Sequence, residues 1–282
     1  MRFEVFSDLQ YSVQSPSTII LGNQALRTRS QSIVQESLLI EPPLQHDEIV
    51  SPSGDTRFVR VITGAVKTLR VSYRATVDCA REHVDAGELK RVPVSELDHQ
   101  TLAYLFPSRY CQSDQLNHLA WRQFGEIENS YDRVMAICDW IHDNVDYVSG
   151  STNSGTSAYD TLIQRAGVCR DFAHLGVALC RALNMPARYF AGYAYQLQPA
   201  DFHACFEVFV GNRWIIFDAT RLAPLNGLVR IGTGRDAADT AVASLFGNVQ
   251  LVEMHVGCDV LDKSFKPLRP TDLSDKGLCL EA

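Results

Sequence analysis

The chain has 282 residues, of which 46% are hydrophobic and 21% charged, a composition typical of a globular protein large enough for two domains. Its 26 Lys and Arg residues against 33 Asp and Glu residues give a net charge of −7. This balance argues against nucleic acid or an anionic membrane as a partner, because both require concentrated positive charge. No uninterrupted apolar run approaches the roughly 18 residues of a membrane span.

The first hundred residues favour β-structure. In KTLRVSYRATVDC (67–79) apolar and polar residues alternate, which predicts an antiparallel strand with one buried face. RFVRVIT (57–63), joined to it through GAV, is its predicted hairpin partner, and SPSGDT (51–56) is a predicted turn. Further strands are predicted at 2–6, 17–21 and 31–40. Short strands at this spacing indicate a small β-sandwich.

Beyond residue 111 the hydrophobic period changes to that of helices. Ser130 is the predicted cap of the first helix, Gly167 closes the second, and Pro186 stops the third. The Gly211-Asn212 pair predicts a tight hairpin turn between the last two strands. The predicted helices are 130–145, 156–167 and 169–184, and the strands after them are 187–196, 203–210 and 213–220.

Helices followed by an antiparallel sheet predict an α+β fold rather than an alternating α/β fold. We therefore expect an antiparallel β-sandwich-like domain at residues 1–105. A second domain at 106–282 would pack helices on an antiparallel sheet and carry the chemistry, because the first half gathers no catalytic residue types.

The eight cysteines are scattered, with no C-x-x-C pair and no Cys/His cluster at metal-ligand spacing. The N-terminus, MRFEVFSDLQ, alternates like a strand and lacks the basic and apolar regions of a signal peptide. We therefore expect reduced thiols, a cytoplasmic location and neither a metal nor an organic cofactor.

Three residues have the types and positions that thiol catalysis needs: Cys169 at a helix start, His203 at a strand start and Asp218 at the end of its hairpin partner. A helix N-terminus and an imidazolium favour the thiolate over the thiol. A carboxylate can hold the second nitrogen of the imidazole. The hairpin returns Asp218 to the region of 203–205, so the three could meet.

Each residue also has a structural interpretation. Cysteine is among the most buried residue types, so Cys169 could be part of the core, as expected for Cys180. His203 could be an edge-strand histidine capped by Asp201, and Asp218 a carboxylate at a hairpin end. The residue types and spacing alone leave both interpretations open.

The stretches AGVCRDFAHLGVALCRALNMPARYFAGY and DFHACFEVFVGNRWIIFDAT resemble the core of the transglutaminase-like superfamily, in the bacterial branch related to papain-type thiol enzymes. The leading β half, with LFPSRYCQSDQL, and the later TRLAPLNGLVRIGTGRDAADTAV resemble the rest of that branch. The resemblance implies a transglutaminase-like or papain-like core with Cys169 as nucleophile, His203 as base and Asp218 as its carboxylate partner. It further implies acyl transfer through a thioester, without a cofactor.

Two positions depart from the family pattern. Cys205 stands two residues after the histidine, where the family often has an aromatic residue. Alternation places Cys205 on the same side of the strand as His203, where we interpret it as a small packing residue that could also line the site. FDAT replaces the more common Asp-Pro-Thr and keeps the carboxylate of Asp218.

The backbone N–H of Cys169 is the expected first donor to an oxyanion, and the second is left unassigned. Gln164 is interpreted as a surface residue, although papain-like enzymes use a glutamine before the cysteine. Arg170 and Asp171 are expected to be structural, and His174 to pack.

The segment 227–241 contains GTGRDA but lacks the ending of a phosphate-binding loop. We expect a loop near the active-site cleft there, in which Arg235 could pair with Asp236.

Three functions compete at this point. The first is a Cys-His-Asp acyl-transfer enzyme, a protease, amidase or transglutaminase, acting on a peptide or protein substrate. The second is a catalytically silent peptide-binding or interaction module with the same fold. The third, an arylamine N-acetyltransferase, is disfavoured by the β-rich first half. An edge of the sandwich would also allow a homo-oligomer.

Overall fold

The computed structural model describes residues 1–51, 54, 56–273 and 275–281. Its helices are α1 (His99–Leu102), α2 (Ser113–Phe124), α3 (Ser130–Asn144), α4 (Ala158–Gln164) and α5 (Cys169–Ala182). Its strands are β1 (Arg2–Val13), β2 (Thr18–Leu21), β3 (Gln31–Glu41), β4 (His46–Val50), β5 (Arg57–Ile62), β6 (Thr68–Cys79), β7 (Glu82–Asp85), β8 (Asp146–Tyr147), β9 (Ala166–Gly167), β10 (Ala187–Ala194), β11 (His203–Val210), β12 (Arg213–Phe217), β13 (Leu228–Gly234), β14 (Ala243–Phe246), β15 (Val249–Val260) and β16 (Lys276–Cys279).

Two antiparallel four-stranded sheets form the predicted β-sandwich. Their strand orders are β15-β1-β6-β3 and β14-β2-β5-β4. Along β6 every second side chain is buried, from Leu69 to Cys79, as the sequence pattern predicts. Leu9 and Leu69 of one sheet share an apolar cluster with Ile19 and Val59 of the other, so the two sheets bury their facing sides together.

The predicted hairpin between 57–63 and 67–79 is wrong. β5 pairs with β2 and β4, whereas β6 pairs with β1 and β3. The short link between β5 and β6 therefore crosses from one sheet to the other. Both edges of β6 are occupied, by β1 from Arg2↔Asp78 to Ser12↔Thr68 and by β3, so β5 has no place beside it. Of the turn predicted at 51–56, residues 52, 53 and 55 lie outside the described residues.

Strand pairing crosses the expected boundary at residue 105 in both directions. From the C-terminal side, β14 pairs with β2 and β15 pairs with β1. From the N-terminal side, β7 joins the last sheet through β16. The division into 1–105 and 106–282 stays a prediction about folding units, and in the structure each half supplies strands to the other's sheet.

The second half is an α+β unit, as predicted. Its antiparallel sheet has the order β13-β10-β11-β12-β16-β7, and α5 packs on β10 and β11 while α2, α3 and α4 pack around α5. Gly176 makes this close packing possible, because a Cβ there would lie 2.5 Å from Cε1 of Phe206 on β11. In the described part of the chain no helix is both long and apolar enough to cross a membrane.

The ends of two helices differ from the prediction. The side chain of Asn129, not Ser130, caps α3 by accepting hydrogen bonds from two backbone N–H groups at 2.8 and 3.1 Å. Helix α4 ends at Gln164 on Arg165, whose φ of 54° is left-handed, so Gly167 does not close it. The short parallel pair β8 and β9 separates α4 from α5.

Candidate active site

The start of α5 places Cys169 at the first helical position. Val168 before it is extended, and its N–H donates to the carboxylate of Asp171 at 2.9 Å, which closes the first turn. The backbone at Gly167 lies against the side chain of Asp171. Only glycine fits there without a shift, because a Cβ would lie 2.8 Å from Cβ of Asp171. Of the eight cysteines, Cys169 alone is partly exposed and the other seven are buried. Cys169 therefore lies at the edge of the core, at a helix start, and not within the core like the other cysteines.

His203 is the first residue of β11. It pairs with Gly192 on β10, and its side chain is buried. The Sγ of Cys169 lies 4.0 Å from the carbonyl oxygen of Phe202, the residue before His203. The helix start and the strand start therefore meet, as expected.

Asp218 reaches His203 through the predicted hairpin. Gly211 and Asn212 both have positive φ, 57° and 58°, the geometry of a two-residue hairpin turn. The ladder between β11 and β12 runs to Phe206↔Phe217, so Asp218 follows directly and its Oδ2 lies 2.8 Å from Nε2 of His203.

Thr220 fixes the other carboxylate oxygen of Asp218. Its backbone N–H donates to Oδ1 at 2.9 Å and its hydroxyl donates at 2.7 Å. The FDAT variant therefore keeps both the carboxylate and its orientation.

The second nitrogen of His203, Nδ1, is buried and has no hydrogen-bond partner in the described residues. Because Asp218 holds Nε2, Nδ1 is the nitrogen left for the thiol of Cys169. A hydrogen bond with this thiol is one of the causes that raise the pKa of His203. This arrangement leaves one imidazole nitrogen for orientation and one for proton transfer.

Opposing effects act on the pKa of His203. Burial lowers it, but the side chains of Cys205 and Asp218 and the thiol of Cys169 outweigh burial and hold the pKa well above its usual value. Burial raises the pKa of the Cys205 thiol to about 12, so this thiol is neutral at physiological pH. Cys205 therefore acts on His203 as a neutral thiol, and the carboxylate of Asp218 supplies a negative charge beside the ring.

Cys205 packs as the sequence analysis favoured. It is buried in an apolar cluster with Phe190, Ile216 and Leu278. One ligand atom each of Cys205, His203 and Asp218 lies within 4.8 Å of the others, a spacing that a metal ion could use. The hydrogen bonds from His203 and Thr220 already engage the carboxylate, so a metal would have to displace them.

The residues around the cysteine are structural, as expected. Asp171 is buried and accepts hydrogen bonds from Thr152 at 2.8 Å and from Arg170 at 3.0 Å. His174 is buried, stacks on Tyr110 and accepts a backbone N–H through Nε2. Gln164 is exposed at the end of α4, which agrees with a surface role.

The segment 227–241 is not simply a loop, because β13 occupies 228–234 and pairs with β10. Arg235 pairs with Asp239 at 2.9 Å instead of Asp236. The carboxylate of Asp236 instead accepts backbone N–H groups of Tyr110 and Ala238, each at 2.9 Å. The carboxylate of Asp236 is therefore occupied by backbone N–H groups, one of them from a distant part of the chain.

Tyr147 is a neighbour of the cysteine that sequence reasoning missed. It lies on β8, which pairs in parallel with β9 immediately before α5. Burial and the Cys169 thiol raise the pKa of its hydroxyl to about 12. A two-residue strand leaves no hydrophobic period in the sequence, so no pattern marked this tyrosine.

A cavity of about 300 Å³ lies on another side of Asp218, lined by Tyr131, Cys138, Phe217 and Arg221 among others. Cys169 and His203 do not line it, so it is separate from the site where the thiol is exposed.

Comparison with known proteins supports the resemblance seen in the sequence. Residues 117–219 match the transglutaminase-like superfamily, and residues 1–100 match the bacterial transglutaminase N-terminal domain. A crystal structure from Cytophaga hutchinsonii, described as that of a candidate cysteine protease, is 57% identical, with a TM-score of 0.97 over 99% of this chain and 97% of its own.

Two curated sequences are similar to this chain at lower identity. An uncharacterized protein of Mycobacterium leprae is 31% identical over 260 residues, which are 85% of this chain and 91% of that protein. An uncharacterized protein of Mycobacterium tuberculosis is 32% identical over 114 residues, which are 35% of this chain and 36% of that protein.

Proposed function

Because the chain belongs to the transglutaminase-like superfamily, we propose that it is a thiol-dependent acyl-transfer enzyme acting on peptide or amide bonds. One observation carries the proposal. A partly exposed cysteine at a helix start lies beside a buried histidine, Nε2 of which is 2.8 Å from a buried carboxylate. The proposed residues are Cys169 as nucleophile, His203 as acid and base, and Asp218 as its partner.

The first half-reaction would form a thioester. The thiolate of Cys169 attacks the carbonyl carbon, and the carbonyl oxygen becomes an oxyanion near the Cys169 N–H. His203, as imidazolium, gives its Nδ1 proton to the leaving amine as the C–N bond breaks. Asp218 stabilises the positive ring and fixes the tautomer in which Nδ1 exchanges the proton.

The second half-reaction would release the acyl group. Neutral His203 takes a proton from the incoming nucleophile, which attacks the thioester and frees Cys169. Water as the nucleophile gives protease or amidase activity, whereas an amine gives transglutaminase-type activity. The protease description of the Cytophaga hutchinsonii structure is consistent with the first outcome.

We also propose that the substrate is a peptide or protein and that the enzyme acts in the cytoplasm. The reacting bond is an amide, and Cys169 at the start of α5 is partly exposed, so a peptide chain could reach it from solvent. The scattered, unpaired cysteines fit a reducing compartment.

The test uses p-nitrophenyl acetate, an ester that acylates reactive thiols and releases a coloured product. We expect a rapid burst of product from the wild type that is absent from Cys169→Ala and strongly slowed in His203→Ala. Cys258→Ala is the matched control, because that cysteine is buried and distant from the site in sequence and sheet.

Circular dichroism should show all three variants folded. A folded wild type without a burst would favour the alternative of a catalytically silent peptide-binding module. Unfolding of Cys169→Ala would indicate a structural role for this residue.

A further inference from the structure

The cavity of about 300 Å³ beside Asp218 is large for the interior of a protein. It lies between α3, which contributes Tyr131, Met135 and Cys138, and the segment after β12, which contributes Leu225. Packed interiors leave few voids larger than a water molecule. An apolar cavity of roughly 150 Å³ already binds benzene, so this space has room for an aromatic ring with a short chain.

The inner wall of the cavity is mainly apolar. Tyr131 contributes its ring, because its hydroxyl is engaged by two backbone carbonyl oxygens. Burial raises the pKa of the Cys138 thiol, which is therefore neutral at physiological pH. Both oxygens of Asp218 are already held, one by His203 and the other by Thr220. A molecule that fills this space therefore needs an apolar body.

The outer end of the cavity carries a cation. Arg221 and Asp139 both line the cavity, are partly exposed and form an ion pair through Nη2 of Arg221. A guanidinium has five N–H donors, so one carboxylate does not exhaust it. Arg188 of the same chain binds two carboxylates at once, those of Glu207 and Glu281, each at 2.7 Å. Arg221 can therefore bind a ligand carboxylate beside that of Asp139.

We propose that this cavity is a binding site for a small amphipathic carboxylate, whose apolar body packs against Asp218 and whose carboxylate pairs with Arg221. Cys169 and His203 do not line the cavity. The ligand thus contacts the proposed catalytic carboxylate without reaching the thiol, and it is not the acyl substrate. This site goes beyond the proposed function and does not depend on it, because binding is measured without turnover.

The test compares two probes of the same shape, the anion 4-phenylbutyrate and the neutral 4-phenylbutanamide. Isothermal titration calorimetry with the wild type should show saturable binding of the anion, and binding of the amide about 10-fold weaker, because charge-assisted hydrogen bonds are the stronger ones. Arg221→Gln should weaken the anion to the level of the amide. Arg213→Gln is the matched control, because Arg213 forms an exposed ion pair with Glu82 and does not line the cavity.

Two further variants locate the bound probe. Met135→Trp places a larger side chain in the cavity and should abolish binding of both probes, with circular dichroism showing that the protein is folded. Asp139→Asn removes the carboxylate that competes for Arg221 and should tighten binding of the anion about 2–5-fold, the usual strength of an exposed ion pair. If Met135→Trp does not fold, the comparison of Arg221→Gln with Arg213→Gln still decides.

Three results would overturn the proposal. The first is a wild type that binds neither probe in the millimolar range. The second is a folded Met135→Trp protein that binds both probes as the wild type does, because the probes would then lie elsewhere. The third is a preference for the anion that survives in Arg221→Gln or is lost equally in Arg213→Gln. None of these results involves Cys169, so the proposed acyl-transfer function would stand.

Discussion

Replacing Asp218 with Asn removes the buried charge beside His203 and keeps a side chain of the same shape. In the wild type Oδ2 of Asp218 lies 2.8 Å from Nε2 of His203, and both side chains are buried. An opposite charge at such short range typically shifts a pKa by about 1–3. We therefore expect Asp218→Asn to lower the pKa of His203 by that amount, equivalent to about 1.4–4 kcal/mol.

The direction of the pH effect follows from the raised pKa of His203 in the folded protein. The imidazolium and the stability it contributes are fully present below the usual histidine pKa, and both are lost as pH rises through the raised value. In Asp218→Asn the loss should begin at a lower pH. Acyl transfer should also slow about 10²–10⁴-fold, because the acid and base is weakened and no longer oriented.

The assay compares two alkylating reagents at Cys169 across the pH range. Iodoacetate is an anion that the imidazolium attracts, whereas iodoacetamide is neutral, so the ratio of their rates reports the protonation of His203. This ratio should fall at lower pH in Asp218→Asn than in the wild type. Asp139→Asn is the control, because Asp139 is exposed and pairs with Arg221 on the surface.

An unchanged pH dependence of the ratio in a folded Asp218→Asn protein would refute the reasoning. It would mean that the carboxylate does not govern the charge of His203, whatever its distance. The same shift in Asp139→Asn would also count against it, since a general change in net charge would then explain the effect.

Two further predictions concern the framework of the site. Gly176→Ala should destabilise the protein by about 1–3 kcal/mol in urea unfolding, because the new Cβ would lie 2.5 Å from Phe206. Gly87→Ala is the control and should leave the stability unchanged, because the space around Gly87 is open. Equal stabilities of the two variants would contradict this prediction. Glu207→Gln should cost about 3–5 kcal/mol, because the buried Arg188 and Arg230 lose a carboxylate at 2.7 Å from each. The exposed Glu253→Gln is its control, and an equally small effect in both variants would show that the buried ion pairs contribute little.

The sequence predicted those parts of the fold that local chemistry determines. The alternation in β6, the Gly211-Asn212 turn and the start of α5 at Cys169 all depend on neighbouring residues, and all appear in the structure. The hairpin then placed Asp218 beside His203, which required only the turn position and the strand period.

The errors lie where distant contacts compete with local ones. β5 has an alternating pattern that fits several partners, but both edges of β6 are occupied by β1 and β3. The return of β15 to β1 could not be read from the sequence, since nothing local identifies a partner some 250 residues away. Tyr147 was missed for a related reason, because its position depends on two hydrogen bonds between short segments.

Identifying the acylated residue is the measurement that tests the central claim most directly. The protein is mixed with p-nitrophenyl acetate, quenched with acid during the burst, digested and examined by mass spectrometry. We predict one acetyl group on the peptide that contains Cys169, removable by hydroxylamine as expected for a thioester, and none on this peptide in His203→Ala at the same time point. Acetyl groups found only on lysines or on other cysteines, with Cys169 unmodified, would contradict the proposal that Cys169 is the nucleophile.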